Sequence, residues 1–187
     1  QSGPLLVANK KVERITFTGA TVTGIKVLQS AAANLTFSTM ELGGKNALMV
    51  LKDADLDVAV SVTQEGMFYN QGEACTSTAR ILVHESVHDQ FVEKFVAATM
   101  KLKVGDGLDP ATDIGAMVDA KQRDKVLAYL QTALDQGAKI ACQGKLPTED
   151  KYKNGYWVAP TVLTGVTPNM TVAKEEIFGP IACVMKF

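Results

Sequence analysis

Long apolar runs, a strong charge imbalance and paired cysteines are all missing from this 187-residue sequence. No apolar stretch approaches the ~18 residues that a membrane helix needs, and the longest, at 47–51, has the length of a strand. A net charge of −1 argues against a surface built mainly for nucleic acid. These absences favour a globular protein that binds neither a membrane nor nucleic acid.

Cysteine is scarce, with three residues at wide spacing: Cys75, Cys142 and Cys183. An odd, scattered set is neither a disulfide framework nor a paired metal clip, so we expect a reducing compartment, the cytoplasm. The chain begins without methionine and ends inside an apolar, strand-like run. We therefore expect it to be part of a longer protein.

Alternating strand and helix patterns run through the sequence and predict an α/β fold with a largely parallel sheet and flanking helices. The predicted strands are 14–18, 36–40, 46–51, 79–83, 139–142, 157–163 and 181–187. The predicted helices cover 21–33, about 55–70, 86–103 and 119–136. Aspartates at 53–55, Ser86 and Asp119 are the expected N-caps, and Gly137 is the expected C-terminal glycine.

Cys75 and Glu41 are the candidate nucleophile and base. Cys75 follows a polar, glycine-bearing turn after a predicted helix, whereas Cys142 and Cys183 lie in apolar strands that would bury them. A cysteine attacks as its thiolate, and a separate base is needed if water must later hydrolyse the adduct. Glu41 ends a predicted strand ahead of two glycines, where backbone can pass close to a ligand. Alternatively, the cysteine is a small buried apolar residue.

Two further segments could bind a cofactor. Residues 17–24 form a strand–glycine–helix junction, which presents free N–H groups to an anion such as a phosphate. The same pattern occurs in any strand-to-helix turn, so alone it is weak. Residues 174–180 combine charged residues with Phe178, Gly179 and Pro180, and could equally be a solvated loop.

Two stretches of the sequence resemble metal-binding motifs. His84–His88 has the spacing of a zinc-protease motif, but that motif requires both histidines on one helix face. Here the first histidine ends a predicted strand and Ser86 is the expected helix cap, so we expect two surface histidines and no metal. Residues 53–57 resemble the start of a calcium loop, but Val58 and Gln64 replace the required glycine and glutamate.

Four segments in order resemble the NAD(P)-dependent aldehyde dehydrogenases: residues 17–24, 41–45, 70–75 and 175–180. The resemblance implies that Cys75 attacks the aldehyde and that Glu41 activates the water that releases the acid. It also implies cofactor binding, NAD or NADP, by six residues: Gly19, Ala20, Leu42, Gly43, Glu176 and Phe178. Ala20 departs from the family's usual serine, so one hydroxyl contact is lost while the backbone N–H groups remain.

The resemblance also implies a division of the chain. Residues 1–43 would be the last part of an NAD(P)-binding domain, and residues 44–187 a Rossmann-like catalytic domain truncated at its C-terminus. The family's oxyanion-binding asparagine and adenosine-binding lysine have no counterpart here. We therefore expect little dehydrogenase activity from the isolated chain. The resemblance also implies a parent enzyme that is a homodimer or homotetramer and acts on a small-molecule aldehyde. A zinc hydrolase using His84–His88 and a non-catalytic α/β fragment remain as alternatives.

Overall fold

A computed structural model describes residues 2–187, which form two compact units divided between Gly44 and Lys45. The predicted α/β class, with a largely parallel sheet and flanking helices, is confirmed. Across residues 2–187, no helix is both long and apolar enough to cross a bilayer. The assignment of the two units to a cofactor domain and a catalytic domain stays a prediction.

The first unit pairs two short strands in parallel. Its elements are helix α1 (Ser2–Val7), strand β1 (Arg14–Gly19), helix α2 (Thr21–Ala32) and strand β2 (Phe37–Leu42). Parallel strands need a crossover connection, and α2 supplies it. Gly19 pairs with Leu42 at the carboxyl end of this sheet. A Cβ on Gly24 would lie 2.6 Å from Cδ2 of Leu42, so α2 approaches the sheet closely at that glycine.

The second unit is a five-stranded sheet with helices. Its helices are α3 (Leu56–Phe68), α4 (His88–Thr99), α5 (Ala120–Asp135) and α6 (Thr171–Lys174). Its strands are β3 (Ala47–Val50), β4 (Arg80–Val83), β5 (Lys139–Gln143), β6 (Thr161–Thr164) and β7 (Ile181–Lys186). The strand order is β3-β4-β7-β6-β5, and all neighbours are parallel except β5 and β6. The central strand β7 is almost wholly buried, as its apolar run predicts.

Two apolar clusters form the core of the second unit. In one, the ring of Phe68 on α3 stacks with that of Phe95 on α4, with centroids 6.0 Å apart, and so joins the two helices. Phe91 extends the stack along α4, with its centroid 5.6 Å from that of Phe95. In the other, Val126 and Leu130 of α5 pack with residues of β6 and β7. Burial of an aromatic or aliphatic side chain contributes about 1.5–3 kcal/mol, so these clusters account for much of the unit's stability.

Several predicted helix boundaries are confirmed by hydrogen bonds. The Asp55 side chain accepts the backbone N–H groups of Asp57 and Val58 and caps α3. The Asp119 side chain accepts the N–H of Gln122 at 2.7 Å and caps α5. Gly137 follows that helix with a φ of +99°, the left-handed conformation that favours glycine after a helix end.

Three predicted boundaries, two of α4 and one of β6, are wrong. Helix α4 does not begin after a cap at Ser86; it begins at His88, and it ends at Thr99 rather than near residue 103. The Ser86 hydroxyl lies 2.8 Å from Nδ1 of His84, so it is used within the preceding turn. The strand expected from residue 157 begins at Thr161. Pro160 has no N–H to donate to a neighbouring strand, and pairing therefore starts after it.

Candidate functional site

The segment that carries Cys75 is a strained turn between α3 and β4. Three consecutive residues adopt the left-handed conformation, with φ of +48° at Asn70, +47° at Gln71 and +73° at Gly72. This conformation costs a non-glycine residue roughly 1–2 kcal/mol. Such strain persists only where the surroundings impose it, and it concentrates at functional sites. Cys75 follows three residues later as an exposed thiol, outside the core as predicted but within the loop rather than at an element end.

Hydrogen bonds from neighbouring elements hold this turn. The Asn46 side chain donates to the carbonyl oxygens of Cys75 and Ser77. The Ser77 hydroxyl donates to the carbonyl of Met67 at 3.2 Å, which ties the segment to the end of α3. Within residues 2–187, no hydrogen bond engages the backbone N–H of Cys75. That N–H is therefore available to an oxyanion formed at the thiol.

A cavity of about 270 Å³ lies beside Cys75, flanked by its neighbours Ala74 and Thr76 and by Tyr69 of the turn. Its far wall is α3, which contributes Val62, Glu65 and Gly66. The exposed surface of the lining is mostly apolar but includes the charged residue Glu65, and small-molecule sites commonly combine an apolar wall with a few polar groups. The sequence analysis did not predict this cavity, because α3 and the turn meet only in three dimensions.

The segment with Glu176 and Phe178 is also strained. Phe178 has a φ of +59°, which is a marked outlier for a bulky side chain. Helix α5 holds the segment: Nε2 of Gln122 donates to the carbonyl of Phe178 at 2.7 Å, and the hydroxyl of Tyr129 donates to the carboxylate of Glu175 at 2.8 Å. Neither contact was predicted from the sequence, although both residues lie on one face of the predicted helix.

One oxygen of the Glu176 carboxylate is a buried hydrogen-bond acceptor. Its Oε1 is buried, and among residues 2–187 it has no hydrogen-bond partner. Buried polar atoms in proteins are nearly always hydrogen-bonded, so an unpartnered one indicates a missing ligand or water. A carboxylate accepts hydrogen bonds from a sugar hydroxyl, and Glu176 therefore fits the ribose of a dinucleotide.

Two glycines bring the Cys75 and Phe178 segments into direct contact. A Cβ on Gly72 would lie 2.6 Å from the carbonyl carbon and oxygen of Gly179. A Cβ on Gly179 would in turn lie 2.4 Å from Cγ2 of Val126 on α5. The backbones can approach this closely only without side chains. The sequence offered one signal, a glycine in each of two motifs, but nothing in it showed that the glycines meet.

The first unit gathers the other candidate residues at one sheet edge. Gly19 ends β1 and pairs with Leu42 of β2, and Ala20 and Gly43 follow these strand ends. Ala20 precedes α2 without a side-chain cap, which leaves the helix N-terminus open to an anion. Glu41 is the exposed neighbour of Leu42 on β2. The roles assigned to these residues, and to Cys75, Glu176 and Phe178, stay predictions.

The other two cysteines are buried free thiols. Burial raises the pKa of the Cys142 thiol. Burial also raises the pKa of the Cys183 thiol, against the opposing effect of the nearby Lys45 ammonium. A raised pKa and lack of access both reduce the reactivity of a thiol. Cys75 is the one exposed thiol among the residues that the structure describes.

The two histidines do not form a zinc site. His84 follows β4 and His88 begins α4, so they do not share a helix face. No group of three or more potential ligands occurs within residues 2–187, and the zinc hydrolase alternative has no support. The prediction of two surface histidines is wrong for His88, which is only 7% exposed. Because α4 starts there, His88 shares the buried helix face of Phe91 and Phe95.

Sequence comparison matches the whole chain to one family. The sequence model described as "Aldehyde dehydrogenase family" matches residues 1–187. An aldehyde dehydrogenase of Didymella fabae is 44% identical over 182 residues, covering 97% of this chain and 37% of that protein. A betaine aldehyde dehydrogenase of Brucella anthropi is 40% identical over 185 residues, covering 99% of this chain and 38% of that protein.

Solved structures show the same similarity. Betaine aldehyde dehydrogenase from Staphylococcus aureus, in complex with NAD+, matches with a TM-score of 0.95 and 35% identity over 100% of this chain and 37% of that one. The NAD+ complex of a Bacillus cereus aldehyde dehydrogenase matches with a TM-score of 0.93 and 36% identity, also over 100% and 37%. The chain thus spans little more than a third of these relatives. It belongs to the aldehyde dehydrogenase family.

Proposed function

We propose that the protein containing this chain oxidises an aldehyde to a carboxylic acid with NAD(P)+. The observation that carries the proposal is the exposed Cys75 thiol in a strained turn, packed through Gly72 against the segment of Glu176 and Phe178. The nucleophile and a carboxylate that can accept a hydrogen bond from ribose thus lie on two segments that pack against each other. This arrangement suits a reaction between an enzyme-bound aldehyde and a dinucleotide.

The chemistry begins at Cys75. Its thiolate would attack the aldehyde carbon, and the resulting oxyanion would receive a hydrogen bond from the Cys75 N–H, which has no other acceptor within residues 2–187. The cavity flanked by Ala74 and Thr76 would hold the substituent of the aldehyde. The product of this step is a thiohemiacetal on Cys75.

The six candidate cofactor residues would each contact a different part of the dinucleotide or lie beside such a contact. The buried, unpartnered Oε1 of Glu176 would accept a ribose hydroxyl, and Phe178 would pack beside the nicotinamide. The uncapped start of α2 after Gly19 and Ala20 would receive the pyrophosphate, with Leu42 and Gly43 beside it. NAD(P)+ bound there would supply the hydride acceptor that converts the thiohemiacetal to a thioester. Glu41 would then activate the water that hydrolyses the thioester.

The names of the relatives bear on the cofactor and on the substrate class of this proposal. Several are betaine aldehyde dehydrogenases, and several of the matching structures hold NAD+. We infer that the cofactor is NAD or NADP and that the substrate is a small-molecule aldehyde. We further infer that the parent enzyme is a homodimer or homotetramer in the cytoplasm. The three free thiols suit that reducing compartment.

The decisive experiment couples thiol labelling to activity. Aldehyde-dependent NAD(P)H formation is followed in the 187-residue chain and in its full-length parent while a limiting alkylating agent is added. We expect the agent to modify Cys75 ahead of the buried Cys142 and Cys183, and parent activity to fall in proportion to Cys75 modification. Mass mapping of tryptic peptides gives the site and extent of labelling.

Three results would contradict this proposal. Activity that survives complete Cys75 modification would exclude Cys75 as the nucleophile. Preferential labelling of Cys142 or Cys183 would show that Cys75 is not the most reactive thiol. A parent protein that binds no NAD(P)+ would support the non-catalytic alternative. The isolated chain is expected to show little NAD(P)H formation, since a misplacement of about 1 Å can cost on the order of a hundredfold in rate. Ester hydrolysis needs no cofactor and could persist.

A further inference from the structure

A second cavity, of about 520 Å³, lies in the 45–187 unit. Three of its lining residues are cationic, Lys45, Arg80 and Lys174, and none is a carboxylate. The rest of the lining is apolar and comes from β4, β7 and the region around α6. A cavity that combines like charges with an apolar wall favours a ligand that carries a negative group and an apolar body.

Lys45 is buried without a counter-ion. Its side chain is in a residue only 8% exposed, and among residues 2–187 it forms no salt bridge. The polar contact of its Nζ is the sulfur of Cys183, at 3.8 Å. Burying an ammonium without an ion pair costs free energy, so burial shifts the equilibrium of Lys45 towards the neutral amine. Neutral amines are nucleophiles, and desolvation beside another cation is a recurrent way of activating lysine.

The groups around Lys45 act in opposite directions on its protonation. Burial lowers the pKa of the ammonium, and the Arg80 guanidinium lowers it further. The Cys183 thiol and the Glu176 carboxylate oppose this, and burial has the largest effect of the four. The exposed Lys174 adds positive charge at the same cavity. The net result is a lower pKa and a larger fraction of reactive amine near neutral pH than a solvated lysine has.

Arg80 supplies the observation that points to an anion. Its Nε is buried, and it has no hydrogen-bond partner within the part of the chain that the structure describes. A buried donor of this kind is normally satisfied. The planar guanidinium pairs well with a carboxylate or phosphate, which presents two oxygens at the matching spacing.

We propose that Lys45 forms an imine with aldehydes that carry an anionic group, held in this cavity by Arg80 and Lys174. The amine nitrogen attacks the carbonyl carbon, the carbon–oxygen bond breaks, and the oxygen leaves as water while the carbon–nitrogen double bond forms. No electrons are exchanged, so neither an oxidant nor Cys75 takes part. Lys45 is thus a carbonyl-reactive residue separate from the thiol chemistry.

The test uses a matched pair of aldehydes, 4-formylbenzoate and its methyl ester, on the 187-residue chain with Cys75→Ala in parallel. Cyanoborohydride reduces the imine to a stable secondary amine, and peptide mass mapping locates it. With 4-formylbenzoate near neutral pH we expect several-fold more label at the buried Lys45 than at the exposed Lys52, which lies outside the cavity. Cys75→Ala should leave the labelling unchanged.

Two further variants test the anion requirement. Lys174→Gln, at an exposed position, and Arg80→Gln should each reduce the preference of Lys45 for 4-formylbenzoate over the methyl ester by several-fold. Lys45→Arg keeps the charge and should abolish the modification at that site, with folding checked by circular dichroism. If Lys45 is labelled no more than Lys52, the proposal is wrong. Equal labelling by both aldehydes, unaffected by Lys174→Gln, would refute the anionic specificity.

Discussion

Glu41→Gln in the full-length parent enzyme is expected to give a burst of NAD(P)H followed by a stalled steady state. The amide has the size of the carboxylate but cannot remove a proton from water, so the Cys75 thioester would form and then accumulate. General base catalysis typically contributes about 10²–10⁴-fold, and we expect a loss of that order in steady-state turnover. Rapid mixing resolves the burst from the steady state.

A matched control is available in the same unit. Glu13 is exposed and precedes β1, so Glu13→Gln removes a carboxylate of the first unit without touching the proposed site. It should turn over at the parent rate. A Glu41→Gln enzyme that also matches the parent would exclude Glu41 as the deacylation base. A burst that shrinks together with the steady state would show that Glu41 also activates the thiol.

Gly72→Ala should lower the free energy of unfolding by about 2–5 kcal/mol. Two costs add: the left-handed conformation at φ +73°, roughly 1–2 kcal/mol for alanine, and the overlap of the new Cβ with the Gly179 backbone, about 1–3 kcal/mol. Backbone cannot move aside as a flexible side chain can. Urea unfolding of the 187-residue chain measures the change.

Two other glycines separate these costs. Gly137 has a φ of +99° but open space where a Cβ would stand, so Gly137→Ala measures the conformational cost alone. Gly107 has open space and no left-handed φ, and Gly107→Ala should be nearly neutral. The expected order of destabilisation is Gly72, then Gly137, then Gly107. A Gly72 variant no less stable than the Gly137 variant would contradict the close contact with Gly179.

Local signals in the sequence predicted most of the fold. Asp55 and Asp119 cap helices because a short carboxylate can reach the N–H groups of its own first turn, an interaction within three residues. Each strand of the five-stranded sheet was predicted within a few residues of its observed bounds. The brief helices α1 and α6 were not predicted, because six and four residues are too few to establish a period.

The candidate site depends on contacts between distant residues, and the sequence predicted those less well. The motifs indicated Cys75 and Glu176, but the contact of Gly72 with Gly179 and the bonds from Gln122 and Tyr129 arise from packing. The buried position of His88 depends on where α4 begins, and the predicted cap, Ser86, lies one residue before the observed cap, Val87. The cavity beside Lys45 likewise exists only once β4 and β7 are paired.

The central position of β7 has a consequence for how the second unit folds. Its neighbours β4 and β6 both precede it in the sequence. The middle of the sheet therefore forms only when distant residues such as Arg80 and Cys183 pair. Topologies dominated by such distant pairings fold slowly, because loop closure costs entropy before the pairing repays it. Meanwhile β4 and β6 present apolar edges that can pair with another molecule. Dilute conditions therefore favour recovery of the native unit after denaturation.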